Sequence, residues 1–109
     1  MTADKFRCLA LAIPGALESS HMNHPDFRIA GKIFASLGYP DQQHAMVNLT
    51  PEQQSQFIKN APDAFSPCAG AWGKRGATSI LLSSAKAALV RSALQAASKN
   101  ITATKPAGQ

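Results

Sequence analysis

The stretch "FRIAGKIF", residues 27–34, decides the fold class of this 109-residue chain. Phe27 and Ile29 occupy alternate positions of one short run, and Ile33 begins a second run of the same alternation. Between the runs lies Ala30-Gly31, a pair suited to a two-residue turn, in which glycine tolerates a positive φ. The stretch therefore predicts an antiparallel β-hairpin with Phe27, Ile29 and Ile33 facing the core.

Alternating segments on both sides of the hairpin predict two further strands. In "ALESSHM", residues 16–22, Leu17, Ser19 and His21 share one face. In "HAMVNL", residues 44–49, small or apolar side chains again occupy every second position. Tight turn signals such as "GYPDQ" link these segments, so the first half of the chain predicts an antiparallel meander of four strands.

Helical periodicity predicts three helices, which begin after Thr2, after Thr50 and after the serines that precede residues 85–99. The second start is the clearest of the three. Pro51 occupies the first helical position, and Gln53, three residues after the cap Thr50, completes a capping box. The third helix is long and apolar along one stripe, which suits packing against a sheet.

Residues 61–77 predict a loop-rich connection with a single turn near residues 62–65, followed by a short apolar strand, "TSILLS". Trp72, the only tryptophan, is interpreted as a side chain packed into the core, with stacking on a base as the alternative if the ring is exposed. In "GKRG", glycines flank Lys74 and Arg75, which lets the backbone approach a ligand or adopt a positive φ.

The predicted element order is α-β-β-β-β-α-β-α. This order indicates an α+β fold in which an antiparallel sheet of about five strands packs against two to three helices. Residues 1–99 are expected to form a single domain, and residues 100–109 a flexible C-terminal tail.

Charge is distributed unevenly along the chain, whose formal net charge is +5. Residues 56–109 contain seven lysines and arginines but one acid, Asp63. Such an imbalance favours a polyanionic partner, although a solvated basic helix and tail explain it equally well. The apolar run at residues 8–13 is too short to span a membrane and lacks the features of a signal peptide. We therefore expect a cytoplasmic monomer without membrane contact, in which Cys8 and Cys68 are free thiols.

No catalytic signature is present in the sequence: nucleophile elbows, phosphate-binding glycine loops and closely spaced paired carboxylates are all missing. His21 and His24 are three residues apart but lie on a strand-loop segment rather than on a helix, which disfavours a metal site completed by His44 or Cys8. We expect no enzyme activity, no metal and no cofactor.

Two segments resemble a known family. "HPDFRIAGKIFASL", residues 24–37, and "LTPEQQSQFIKNAPDAFSPCAGAWGKRGATSILL", residues 49–82, are similar to the MmcQ/YjbR-like family, and the similarity extends over about residues 3–98. One departure is Ala77, which stands where many members have an aromatic residue. The resemblance implies a frataxin-like (CyaY-like) architecture and the DNA-binding role attributed to a double-wing arrangement in that family. Iron binding of the frataxin kind is disfavoured by the basic charge.

The sequence supports two functional hypotheses. The first is DNA binding with little sequence specificity, in which phosphates contact cations on the hairpin, the glycine-flanked loop and the last helix. These cations are Arg28, Lys32, Lys74, Arg75, Lys86 and Arg91. The second is a non-enzymatic module that binds a protein or a small ligand on the sheet face, with charge serving only solubility.

Overall fold

A computed structural model describes residues 1–39 and 41–103 of the chain. The helices are α1 (Ala3–Leu11), α2 (Pro51–Asn60), α3 (Gly70–Lys74) and α4 (Ala87–Ala103). The strands are β1 (Leu17–His21), β2 (His24–Ile29), β3 (Lys32–Leu37), β4 (His44–Asn48), β5 (Phe65–Pro67) and β6 (Ala77–Leu81). A single 3-10 turn, Leu82–Ser84, connects β6 to the segment before α4.

The six strands form one sheet in the order β1-β2-β3-β4-β6-β5, and every neighbouring pair is antiparallel. The predicted hairpin is present as β2 and β3. Its turn places Ala30 at φ 52° and Gly31 at φ 79°, the left-handed pair that a tight hairpin turn requires. The predicted α+β class and the four-strand meander are therefore confirmed.

A β-bulge corrects the predicted faces of the hairpin. Phe27 pairs with Ala35 and Arg28 pairs with Ile33, so Phe34 is an extra residue on β3. The bulge reverses the alternation, and Phe34 enters the core while Ile33 packs on the opposite face of the sheet. The prediction that Ile33 shares the face of Phe27 was wrong for this reason.

The core lies between one face of the sheet and helices α1, α2 and α4. Phe6, Phe27, Phe34 and Phe65 are buried completely or almost completely in it. The rings of Phe6 and Phe27 join α1 to the sheet with their centroids 6.1 Å apart. Burial of large aromatic side chains is the main source of stability in a domain of this size, so this face anchors the fold.

The predicted helix starts are confirmed by cap contacts. The Thr2 hydroxyl accepts from the Lys5 amide at 3.0 Å. At α2, the Gln53 amide donates to the Thr50 hydroxyl at 3.1 Å, and the Gln53 side chain accepts from the Thr50 amide at 2.9 Å. These reciprocal bonds satisfy two amides that would otherwise lack partners at the helix start.

Two elements were missed within the predicted loop. In the part of the chain that the structure describes, the sheet therefore has six strands rather than about five, and there are four helices rather than two to three. Strand β5 has three residues and helix α3 has five, and neither is long enough to show a hydrophobic period. Both lie in residues 61–77, where we expected a loop with one turn.

Helix α4 is displaced toward the C-terminus relative to the prediction. It begins at Ala87 because the 3-10 turn occupies residues 82–84, and it continues to Ala103. The Asn100 side chain donates to Gln53 Oε1 at 2.8 Å, and Ile101 packs against the core. Residues 100–103 of the predicted flexible tail are therefore helical, and residues 104–109 lie outside the described residues. None of the helices that residues 1–39 and 41–103 form is both long and apolar enough to cross a membrane.

Candidate functional site

The candidate site lies on the uncovered face, defined here as the face of the sheet opposite α1, α2 and α4. Because side chains alternate along a strand, residues paired in register across strands share a face. Ser19 and Ser36 both pair with Asp26 and therefore lie with it on the uncovered face. Further along the sheet, Met46 pairs with Ser79 on the same side. The face thus carries mainly polar side chains, in contrast to the core.

Helix α3 covers part of this face, and two glycines fix its position. A side chain at Gly73 would overlap the carbonyl oxygen of Cys68. Gly76 has φ +113°, and a side chain there would overlap the carbonyl oxygen of Leu49. The glycines that flank Lys74 and Arg75 are therefore explained by close approach to the protein's own backbone, which the sequence hypothesis of a ligand contact did not anticipate.

Buried Gln54 of α2 also holds this segment. Its Nε2 atom donates to the carbonyl oxygens of Gly73 and Ala77, at 3.0 and 2.9 Å, and lies 3.2 Å from the Thr78 hydroxyl. That hydroxyl donates in turn to the Gly76 carbonyl oxygen at 2.8 Å. Satisfied buried polar groups of this kind fix one backbone arrangement. The side chains that follow Gly73 consequently project from a well-defined backbone.

Next to α3 is a cavity of about 340 Å³. It is lined by His21, Met22, His24, Ser36, Tyr39 and Trp72. The Tyr39 ring centroid lies 5.8 Å from that of Trp72 and 6.3 Å from that of His24. Three strands, the turn between β1 and β2, the segment after β3 and helix α3 thus bring aromatic and polar side chains together around one concave surface.

The position of Trp72 corrects the sequence interpretation. Its side chain is 40% exposed, and that of Tyr39 is 41% exposed, so Trp72 does not fill the core. Helix α3 packs through Gly73 rather than through its aromatic residue. The indole is therefore left at the rim of the cavity.

A buried carboxylate supports this cavity. Asp26 is inaccessible to solvent, and it accepts from Arg28 Nε at 2.8 Å and from Arg28 Nη2 at 3.0 Å. His21 Nδ1 lies 2.7 Å from the second carboxylate oxygen. The Arg28 guanidinium lowers the pKa of the Asp26 carboxyl below its usual value, and this hydrogen bond outweighs the opposing effect of burial. Asp26 therefore orients both Arg28 and His21.

His24 also lines the cavity. Its Nδ1 atom is buried and has no hydrogen-bond partner among the residues that the structure describes. A side chain at Gly38, which has φ +84°, would come within 3.2 Å of this atom. The imidazole ring of His24 therefore forms part of the cavity wall, and it packs edge-on against the ring of Tyr39.

Four of the six predicted contact cations lie at one end of the sheet. Arg28 lies near the end of β2, and Lys32 begins β3. Lys74 ends α3, and Arg75 follows it just before β6. Lys32, Lys74 and Arg75 are exposed, whereas Arg28 is half-buried in its ion pair with Asp26. The pairing of Arg28 reduces the charge available to a ligand.

The other two cations lie on the helical layer. Lys86 immediately precedes α4 and lines a different cavity with residues 60–64, and Arg91 is exposed on α4 itself. Helix α4 packs on the covered face of the sheet. No single face carries all six cations.

Sequence reasoning did not identify Asp26 or Tyr39 as site residues. A usable signal was present in "HPDFRI", where His24, Asp26 and Arg28 alternate with the core residue Phe27. The structure describes no group of three or more His, Cys, Asp and Glu side chains arranged to hold a metal in residues 1–39 and 41–103. Both thiols are free, with Cys8 exposed and Cys68 buried.

Comparison with known proteins identifies the family. The crystal structure of the Deinococcus radiodurans protein DR2400, which carries the family-model domain DUF419, is similar with a TM-score of 0.76. That similarity covers 94% of this chain and 80% of the other at 17% identity, and it shows a common fold. None of the curated proteins compared matches the chain. The family model named YjbR matches residues 11–99, which include the hairpin, α2, α3 and most of α4. The chain therefore belongs to the YjbR family.

Proposed function

We propose that this protein binds nucleic acid through the uncovered face of its sheet, with cations at the end of α3 and on the hairpin contacting phosphates. One observation carries the proposal: a single short helix and its cap present Trp72, Lys74 and Arg75 together, all exposed, beside a concave surface. Aromatic rings next to lysine and arginine are the combination that binds nucleic-acid strands without strong sequence preference.

The geometry of α3 supports a joint role for these side chains. Arg75 is three residues after Trp72 and retains helical backbone angles, so the two side chains lie on the same helical face. A guanidinium offers paired donors to phosphate oxygens. Gly73, Gly76 and Gln54 fix the backbone of this segment. Binding therefore costs less conformational entropy than it would at a flexible loop.

The proposal does not treat the six predicted cations as equivalent. Lys74 and Arg75 are the main phosphate contacts. Lys32 pairs in register with Ile29, which packs against the core, so Lys32 reaches a phosphate only past the tip of the hairpin. Arg28 contributes less because Asp26 already accepts from its guanidinium. Lys86 and Arg91 would contact only a nucleic acid that wraps around to the helical layer. The site performs no catalytic step and needs no cofactor under this proposal, and the protein acts as a cytoplasmic monomer.

The test compares two double variants that each remove two positive charges. Labelled duplex DNA is titrated at about 50 and 200 mM salt, a range over which six phosphate contacts are expected to cost on the order of a thousandfold in affinity. Lys74→Ala/Arg75→Ala should weaken binding by on the order of tenfold and reduce the salt slope by about two. Lys86→Ala/Arg91→Ala is the matched control and should stay within about threefold of the wild type.

Failure of the wild-type protein to bind either duplex or single-stranded DNA at the lower salt concentration would overturn the proposal. Equal losses in the two double variants would show that net charge, rather than the α3 surface, determines affinity.

A second candidate function is supported by the cavity itself. Its volume of about 340 Å³ is at the lower end of the range for small-molecule sites. A small organic ligand without a phosphate chain would use the same aromatic wall but would not depend on Lys74 or Arg75. Binding of such a ligand would therefore persist unchanged in the Lys74→Ala/Arg75→Ala variant.

A further inference from the structure

We infer that the cavity beside α3 holds one unpaired nucleobase, so that the protein selects single-stranded over duplex nucleic acid. This inference rests on the proposed function, since it names the form of nucleic acid that the same face would bind. It concerns the six residues that line the cavity, none of which is among the cations predicted from the sequence.

The aromatic wall has the geometry needed for stacking on a ligand. Trp72 and Tyr39 are tilted by 59° and are not stacked on each other, and each remains about two-fifths exposed. His24 packs edge-on against Tyr39 at 81°, which braces the phenol ring from the side. Planar ring surface is therefore available at the cavity rim, and every base offers a complementary face for stacking.

The polar lining suits a base edge of any identity. Ser36 has a hydroxyl that can both donate and accept. His21 Nδ1 lies against the carboxylate of Asp26, and a carboxylate only accepts, so this nitrogen carries a proton and donates. A wall with both donor and acceptor capacity tolerates different bases, in agreement with weak sequence specificity.

The cavity size and the neighbouring charges argue for a base from a strand. The cavity volume of about 340 Å³ is at the lower end of the range for small-ligand sites, so the cavity suits a ligand with a single ring system. Arg75 lies one helical turn from Trp72, within reach of a phosphate adjoining a base stacked there. A base in a duplex is paired and stacked, and it would have to be extruded before it could enter. An unpaired base carries no such cost.

The experiment uses Trp72 as its own reporter, because it is the only tryptophan in the chain. The intact protein is titrated with a single strand of about ten nucleotides, with the same strand annealed to its complement, and with a 5′-mononucleotide. The expected result is quenching of Trp72 fluorescence by the single strand and an affinity about tenfold higher than for the duplex. The mononucleotide should bind more weakly than the strand.

A pair of variants at Tyr39 separates stacking from folding. Tyr39 is exposed at the rim, so its replacement does not open the core. Tyr39→Ala should weaken single-strand binding by on the order of tenfold and change duplex binding by less than about twofold, whereas Tyr39→Phe keeps the ring and should bind like the wild type.

The outcomes distinguish the inference from the function on which it rests. Equal affinity for single strand and duplex with unchanged Trp72 fluorescence would overturn the inference and leave nucleic-acid binding intact. Equal affinity for the mononucleotide and the strand would overturn the assignment to a strand and make a free nucleotide the ligand. Failure of both nucleic acids to bind at about 50 mM salt would overturn the proposed function itself.

Discussion

The two faces of the sheet differ in what they contribute, although neighbouring residues of the same strands form them. On the covered face, Phe27 is fully buried against α1. One residue earlier and one later, Asp26 and Arg28 form an ion pair on the uncovered face. The period of two in a strand thus allows stability and binding chemistry to be specified separately in the same six residues of β2.

The difference also shows how a polar face keeps a defined structure. The covered face is held by apolar contacts, which are non-directional. The uncovered face is held by a buried carboxylate, by Gln54 and by two glycines packed against backbone, all of which demand specific geometry. Its aromatic side chains can therefore remain exposed without collapsing into the core.

The largest contrast between the faces should appear on truncation of an aromatic ring. Phe27→Ala removes a fully buried ring and is expected to cost about 4 kcal/mol of unfolding free energy. Trp72→Ala removes a ring that is two-fifths exposed and should cost about 1 kcal/mol. Guanidinium denaturation of both variants measures the two values, and similar losses would contradict the division between the faces.

A smaller but still large effect is expected at the anchor of α3. Gly76→Ala combines φ +113° with overlap on the Leu49 carbonyl oxygen, so it should cost about 3 kcal/mol. Gly31→Ala is the control, since it has φ +79° in open space and should cost about 1 kcal/mol. A tolerated Gly76→Ala, with unfolding midpoints that match those of the control, would mean that α3 is not anchored as described.

The ion pair of the uncovered face should contribute less and should depend on pH. Asp26→Asn is expected to cost about 2 kcal/mol of unfolding free energy near neutral pH, because the neutral amide cannot accept all the hydrogen bonds that the buried carboxylate accepts. The folded pKa of Asp26 is below the unfolded value of 3.8, so its stabilisation is complete above that pH. It is lost as the pH falls through the folded pKa.

Thermal or denaturant unfolding between about pH 2 and 7 measures the difference between the wild type and this variant. The difference should shrink in acid, as the pH falls below 3.8 and through the folded pKa of Asp26. A difference that grows as the pH falls below 3.8 would contradict the assigned direction of the pKa.

The smallest effect concerns the two thiols and leaves stability unchanged. Burial against Met46 and Ala77 shields Cys68 and raises its pKa, whereas Cys8 is exposed on α1. We expect Cys68 to react with a thiol reagent at least about tenfold more slowly than Cys8, since the reactive species is the thiolate. Equal rates in the native protein would show that the segment carrying α3 opens readily.

The fold was largely predictable from local signals, and the site was only partly so. The Ala30-Gly31 turn and the capping box of Thr50 and Gln53 act over a few residues, and both are confirmed. The bulge at Phe34 depends on pairing with β2, which no local period reveals. Trp72 was assigned to the core because tryptophan is usually buried, and the packing of Gly73 overrode that preference.

Tertiary pairing also explains why the cavity escaped prediction. His21 ends β1 and Tyr39 follows β3, and only the fold brings them near α3. No role was assigned to Asp26 from the sequence, since the burial of this carboxylate depends on Arg28 and His21 together. The basic segment around Arg75 could be identified from charge alone, but its side of the sheet could not.

The most direct test of binding through the uncovered face is a map of amide and indole chemical shifts during titration with a single-stranded oligonucleotide. We predict that the largest changes occur at Tyr39, at the indole of Trp72 and at Arg75, with small changes along α4 from Ala87 to Arg91. If the largest changes lie along α4 and the Trp72 indole is unaffected, binding through the uncovered face is contradicted.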